Sequence, residues 1–531
     1  MSGESENTVS VEYESLVRKH PDYDRQLLHW QFLEATYFGG RGWFDTNIHR
    51  FEKEGKKRYD SRIKRAYRFN HTREIVDLVT KYVFKAEISR KEDAPQPVRD
   101  FWKRATRGGK DVDALMRQAS QMTSVFGQPY IVVDNSAKPV EEGGPVTVSD
   151  QKKVGAAVYA YCVKPENAIN MSFDEFGILN WILFREITRD DNDFMASTHE
   201  TVQQYRLWTR SEWRLFEVEE PDGVSKPKVR GRGKAKAKLQ VKQVGHGVHE
   251  LGRVPVIVPR ERYSDSFYTA PGLIDDIAYL DRAVANYLSN LDAIIQDQTF
   301  STLTIPAQAL NSAESGDSIR KRAIQMGTEA IIVYDAEAGV PPSYISPDPQ
   351  QIEIILAVIT KIITEIYHSV GMAGERTKMD NSAGIDNSSG VAKAYDFDRM
   401  NTMLKSKADT LQMIENELVE LTLLWHGESV PENNIVSYPE EFDVRNLYDE
   451  FDVANRLALM DAPDDARRHQ MQILLEKLFP NLSEELKDAF LKQLKNWPPE
   501  EEATSIRAPS RVQDRTVDPQ ENRQGQAGDE D

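Results

Sequence analysis

Few residues in this chain have the types and spacing that chemistry needs. The segment GHGVHELG sets His246, His249 and Glu250 close together, which would suit a metal ion. It lacks the helical HExxH order that puts two histidines on one face, and its glycines read instead as a turn entering the strand VPVIVP. Phosphate-loop chemistry would need G-x-x-x-x-G-K-[ST]. Gly109-Lys110 and Gly233-Lys234 lack both the preceding glycine and the following hydroxyl, so the chain does not read as an ATPase. There is no G-x-S-x-G elbow. The single cysteine, Cys162, has no partner for a disulfide or a zinc framework, and it reads as a buried structural thiol of an intracellular, reducing environment. The expectation is a protein with no catalytic residue, no metal and no cofactor.

One segment has the chemistry of a nucleic-acid contact. KPKVRGRGKAKAKLQVK, residues 226–242, carries eight Lys/Arg and no acid. Such a run can serve as an electrostatic finger for DNA or RNA, which leaves a nucleic-acid-binding or processing protein as the alternative function. With no interleaved aromatics to stack on bases, it reads first as a solvated loop between two strands. The whole chain points away from tight polyanion binding: 67 Lys+Arg against 85 Asp+Glu leave a net charge of -18. Any contact with DNA is local, or loose enough to slide.

The elements around these residues fall into zones. At 531 residues, 40% hydrophobic and 29% charged, the composition is that of an ordinary globular protein. Residues 1 to 120 read mostly as helices, with Val112, Leu115, Ala119 and Met122 on one face of KDVDALMRQASQMTSVFG. The runs QPYIVVDN, AAVYAYCV, LNWILFREI, TVQQYRLWT and VPVIVP then read as strands, giving an α+β fold. Long helices follow. From Pro271, which suits a first helical turn, Leu273, Ile277, Leu280, Val284, Tyr287, Leu291 and Ile294 form one apolar seam. The rest of that helix carries Asp275, Asp276, Asp281, Asp292 and Asp297 against Arg282, so its exposed side is expected to be acidic. A second helix aligns Ile352, Ile355, Ile359, Ile362 and Ile366, and a third aligns Leu404, Leu411, Ile414, Leu418, Leu421 and Trp425.

The connections set this apart from a plain helical bundle. Between the first two long helices lie two strand-like runs, STLTIP and EAIIVYD, which predict a small projecting subdomain. Between the second and third lies GMAGERTKMDNSAGIDNSSG, a Gly-rich stretch without helical or strand period; Asn387, Ser388 and Ser389 supply capping chemistry for the helix that follows. The densest apolar run, IEIILAVITKII, is broken by Glu353 and Lys361, and the N-terminus lacks the apolar core of a signal peptide, so neither a membrane span nor export is expected.

In this order of parts the chain resembles the portal proteins of tailed bacteriophages, the head-to-tail connectors of the long-tailed type. The resemblance rests on GRVPVIVPRERYSDSFYTAPGLIDDIAYLDRAVANYLSNLDAI, the strand-bearing insert, IIVYDAEAGVPPSYISPDPQQIEIILAVITKIITEIYHSVGM and SSGVAKAYDFDRMNTMLKSKADTLQMIENEL, and it covers residues 20 to 480. It implies a portal fold: an α/β wing at 1–268, stem helices at 269–298 and 347–372, a clip at 299–346, a tunnel loop at 373–389, a long wing helix at 390–430, and C-terminal wing or crown helices at 431–497. It also implies a homo-oligomeric ring, dodecameric in the particle, at the capsid vertex of a virion assembled in the host cytoplasm. Double-stranded DNA would pass through it without sequence preference during packaging and ejection. The implied partners are terminase, then head-completion and adaptor proteins, with the major capsid and scaffold proteins around it. In that frame Arg376, Lys378, Asn381 and Asn387 of the tunnel loop approach the DNA, and Asp275, Asp276, Asp281 and Asp292 give the stem an acidic channel face. An acidic wall suits DNA that must slide, since each basic contact deepens a local well. The final stretch, 498–531, has four prolines, nine acids and no aromatic, so it cannot bury a core and is expected to be disordered.

Overall fold

The computed structural model describes residues 13–135, 157–189, 201–219, 240–299, 302–306, 331–334, 343–345, 350–372, 390–440, 442, 454, 457, 463–478 and 484–495. They fall into two compact units, residues 1–443 and 444–531. The fold mixes helix and sheet, as an α+β protein does.

The first unit opens with helices α1 (Tyr13–Leu16), α2 (Tyr23–Phe38), α3 (Arg41–Asn47), α4 (Lys56–Arg65) and α5 (His71–Val83). A two-residue strand β1 (Ser89–Arg90) precedes α6 (Gln96–Lys103) and α7 (Val112–Phe126). Local signals account for the ends of the better-formed helices. Asn70 caps α5 by accepting from the Arg73 amide at 3.0 Å, and Asp111 caps α7 by accepting from the Ala114 amide at 2.9 Å. The expected face of α7 is buried at Val112, Leu115 and Ala119 and half-buried at Met122.

Strands β2 (Tyr130–Asn135), β3 (Val158–Val163), β4 (Ala168–Phe173), β5 (Leu179–Arg189), β6 (Thr201–Thr209), β7 (Glu212–Glu219), β8 (Gln240–Val248) and β9 (Val256–Ile257) form two antiparallel sheets. One is a five-stranded meander, β4-β5-β6-β7-β8. The other is three-stranded, β3-β2-β9. Leu16 of α1 joins Ile169, Leu183, Tyr205 and Phe216 in a core on the meander. In β2, Tyr130 to Val133 are all buried, because this central strand has helices on one side and the meander's Phe184 and Met171 on the other.

The long elements follow. They are α8 (Ile277–Thr299), β10 (Thr302–Pro306), β11 (Ile331–Tyr334), β12 (Ser343–Ile345), α9 (Gln350–Ser369), α10 (Gly390–Trp425) and β13 (Val436–Ser437). Helix α8 packs on α9, and among the described residues the strands between them pair only with one another, in the order β11-β10-β12. Helix α10 lies over β2, α5, α6 and α7, burying Leu404, Leu411, Ile414, Leu418 and Leu421. In the second unit α11 (Asp464–Leu478) packs on α12 (Glu484–Leu494).

The start of α8 departs from expectation. The helix begins at Ile277, six residues after Pro271, and the lead-in between them docks on α7. Leu273 and Ile274 donate to the Ser124 carbonyl of α7 at 2.9 and 3.3 Å, and Gly272 donates to the Asp275 carboxylate at 3.0 Å. Gly127 allows this docking. It has φ +74°, and a Cβ there would stand 2.0 Å from the Ala270 carbonyl oxygen.

Candidate functional site

The pair α8–α9 and the strands at its end are the parts to which the sequence assigned function. Ile359 and Ile366 of the α9 stripe are buried, while Ile352, Ile355 and Ile362 are half-buried. On α8 the seam is buried at Leu273, Ile277, Val284 and Leu291 and half-buried at Leu280 and Ile294; Tyr287 is exposed. Outside that stripe Ile354 and Leu356 are exposed, on different flanks of α9, so this helix has apolar surface beyond its buried face.

The acidic face of α8 is where sequence and structure part. Helix α4 reads KKRYDSRIKR and packs against α8, where its arginines meet the aspartates. Arg58 pairs with Asp297 and Arg65 with Asp292, the latter at 3.1 Å. Arg62 is buried. It donates to the Ser289 hydroxyl at 2.9 Å and to both oxygens of the buried Glu54 carboxylate at 2.9 and 2.8 Å. Asp281, read as channel-facing, is instead wholly buried. Its Oδ2 accepts from the Thr72 hydroxyl at 2.8 Å and lies 3.4 Å from the Arg68 guanidinium, which stacks over the Trp43 ring. Burial pushes the Asp281 carboxyl above the usual carboxylate range, opposed by Arg68 and the Thr72 hydrogen bonds. Asp275 is half-buried, caps the lead-in and lies 3.6 Å from His29. Asp276 and Asp297 are exposed and Asp292 is half-buried. Asp281 is therefore removed from the acidic wall by burial. Asp292 and Asp297 are neutralised within the chain. An aspartate on a helix exposes its charge only where no basic helix covers it, and a single-helix reading cannot see the cover.

The tunnel-loop residues Arg376, Lys378, Asn381 and Asn387 lie outside the described residues, as do most of the clip and the tail from 498. Of the basic segment only 240–242 is described, as the first residues of β8. The segment connects the adjacent antiparallel strands β7 and β8.

Helix α10 holds charges that its apolar stripe concealed. Lys407 is buried, donating to the Ser124 hydroxyl at 2.8 Å and to Thr123, and paired with Glu261. Burial holds its ammonium below the usual lysine range, countered by Glu261. Glu415 is wholly buried, accepting from Arg90 and from the Tyr438 hydroxyl at 2.7 Å. Arg253 reaches Glu417 and Glu420 from the segment before β9. The available signal was spacing: Lys407 lies three residues from Leu404 and four from Leu411, and Glu415 four from Leu411 and three from Leu418, inside the buried stripe.

The rejected enzymatic motifs can also be placed. GHGVHELG is not a turn up to Val248. It is the end of β8, where Gly245 and Gly247 let the Trp213 indole lie across the strand; a Cβ at Gly247 would meet Trp213 Nε1 at 2.5 Å. His246 bonds the Glu212 carboxylate at 3.0 Å, while His249 is buried between the rings of Trp208 and Trp425. The two histidines therefore face different surroundings, and among the described residues no group of three or more metal-ligating side chains assembles. Cys162 sits in β3 opposite Ile131, partly exposed as a residue, with burial pushing its thiol up to about 12. No described helix is long and apolar enough to cross a membrane.

Comparison with known proteins adds little. No protein-family model matches the chain, and no curated protein does. Among solved structures, a chain from the neck of an empty gene transfer agent particle computed with C6 symmetry is similar over 80% of this chain and 90% of its own, at 10% identity and a TM-score of 0.32. A chain from the virion of a native gene transfer agent particle is similar over 87% of this chain and 98% of its own, at 10% identity and a TM-score of 0.36. At these values neither establishes a shared fold or a shared role.

Proposed function

We propose that this chain is the subunit of a portal-type ring, a channel at the capsid vertex through which double-stranded DNA enters and leaves a phage-like particle. In this reading its role is structural rather than enzymatic. Terminase docks on the strands between α8 and α9 during filling, head-completion or adaptor proteins replace it afterwards, and the major capsid and scaffold proteins surround the ring.

One observation carries the reading. The chain leaves the wing along α8, builds β10, β11 and β12 from the residues beyond it, and returns along α9 packed on α8. Antiparallel pairing of β10 with β12 ties the two helix ends together: Thr302 to Ile345, Leu303 to Tyr344 and Thr304 to Ser343. A helical pair tipped by its own sheet, followed by a 36-residue helix that returns over the wing, is the order of parts that the sequence resemblance implies. Exposed Ile354 and Leu356 leave apolar side chains of α9 outside the buried stripe, which a helix needs when it also packs against neighbours in a closed ring.

Mass photometry of the purified protein, followed by negative-stain imaging, tests the reading. A closed ring with a central hole and about a dozen subunits is expected. A protein that stays monomeric over a wide concentration range with its helices folded would sink it.

A further inference from the structure

Outside the stem, one surface has the make-up of a phosphate contact. Helix α6 ends at Lys103 and the chain turns through Arg104, Ala105, Thr106, Arg107, Gly108, Gly109 and Lys110 before the cap of α7. Lys103, Arg104, Arg107 and Lys110 are all exposed, and no acid interrupts them. Among the described residues none of the four forms an ion pair, whereas Arg90 nearby is taken up by Glu415 and Asp113.

The turn is rigid. The Thr106 amide donates to the Lys110 carbonyl at 3.1 Å, the Gly109 amide to the Thr106 carbonyl at 2.9 Å, and the Lys110 amide to the Thr106 hydroxyl at 2.9 Å. Gly109, at φ +77°, closes it, with Arg104 alongside. Ala105 is anchored to β3, where its carbonyl accepts from the Ala160 amide at 2.7 Å. The cations therefore stand on a backbone already fixed by these bonds, so binding orders their side chains but not the loop.

We propose that the turn Arg104–Lys110 contacts the phosphate backbone of duplex DNA. A protein partner needs an apolar anchor at the centre of its interface, and here the one apolar residue, Ala105, is buried. Base reading needs Asn, Gln or Arg on an element that enters a groove, and here Arg104 and Arg107 sit on a tight turn between two helices, beside two side-chain-free glycines. What fits is a regular row of phosphates, contacted without sequence preference. The proposal rests on the channel reading only for the choice of duplex DNA as the polyanion, and it names a contact site on the wing, away from the basic segment 226–242.

The test measures binding of a labelled DNA duplex by fluorescence anisotropy across a salt series, with mass photometry on the same samples. Each lost phosphate contact lowers the slope of log K against log salt by about 0.9, so Arg104→Ala/Arg107→Ala/Lys110→Ala should lower it by about 2 to 3. Arg104→Lys/Arg107→Lys should retain the slope, since charge and not fork geometry sets it. Arg107→Glu alone should weaken binding further than Arg107→Ala. An unchanged slope in the triple variant, with its melting temperature unaltered, overturns the proposal. So does polyglutamate of matched charge competing as well as unlabelled duplex, or a preference for one duplex sequence. A ring whose slope ignores the triple substitution removes the turn and leaves the channel reading. A monomer whose slope still falls on substitution removes the channel reading and leaves the turn.

Discussion

Arg90 Nε lies 2.6 Å from the wholly buried Glu415 carboxylate, a contact between residues 325 apart in the chain that fixes α10 against the wing. The same carboxylate takes the Tyr438 hydroxyl at 2.7 Å, and Arg90 also bonds Asp113 at 2.6 Å. Asp113 and Glu415 hold the Arg90 guanidinium above its ordinary range against burial, which alone would lower it.

Removing Glu415 leaves the Tyr438 hydroxyl without its acceptor and Arg90 with Asp113 alone. Glu415→Ala is expected to cost about 1 to 3 kcal/mol, the range for leaving a buried partner such as the Tyr438 hydroxyl unsatisfied, since Asp113 still pairs with Arg90, and Glu415→Gln less, since the amide can still accept from Tyr438. Urea denaturation followed by circular dichroism measures both. A double-mutant cycle with Arg90→Ala should return a coupling of about 1 to 3 kcal/mol. Additive losses would mean that the two side chains pack near each other without sharing energy.

The charges of α8 make a graded prediction. Asp276 is exposed, so Asp276→Ala should change stability by no more than about 0.5 kcal/mol. Asp292 shares a partly exposed pair with Arg65, worth about 0 to 1 kcal/mol. Asp281→Ala strands the buried Arg68 and Thr72 and should cost about 3 kcal/mol or more. Thermal or urea unfolding of the three variants should follow that order. Equal effects would mean that burial does not set the role of these aspartates.

These cases show what the sequence makes legible. Apolar periodicity found α8, α9 and α10, because burial of Leu404 or Val284 needs only a neighbour, whichever it is. It could not place Asp281, whose partner Arg68 is 213 residues earlier and whose charge alone argued for solvent. Tyr287 fits the seam by spacing yet is exposed, which spacing alone does not reveal. Strands β7 and β8 went unread for opposite reasons. EWRLFEVE alternates with charges that pair across the meander, and QVKQVGHGV carries glycines that signal a turn until Trp213 is seen lying across them. Order and spacing of the long helices were readable; the covering of the acidic face by α4 was a tertiary fact.

His249 gives the pH dependence. Its imidazole is buried between Trp208, at a ring separation of 6.1 Å, and Trp425, at 5.8 Å. Burial holds it below the usual histidine range, opposed by the nearby Glu212 charge, and among the described residues neither ring nitrogen has a hydrogen-bond partner. The unfolded chain therefore takes up a proton near pH 6.5 while the folded protein does not, so the unfolded state binds more protons over the interval beneath that value. The contribution is fully present above about pH 6.5 and is lost as the pH falls from there toward the folded value. His20, also lowered by burial, adds a change of the same sign that stays constant between variants. His249→Phe, which keeps an aromatic ring in the slot, should make the fall in unfolding free energy between about pH 7 and about pH 5 shallower than in the unaltered protein. Urea titrations at a series of pH values read this directly. Parallel declines in the two proteins would show that the imidazole takes its proton as readily folded as unfolded, and that the slot between the two tryptophans admits charge.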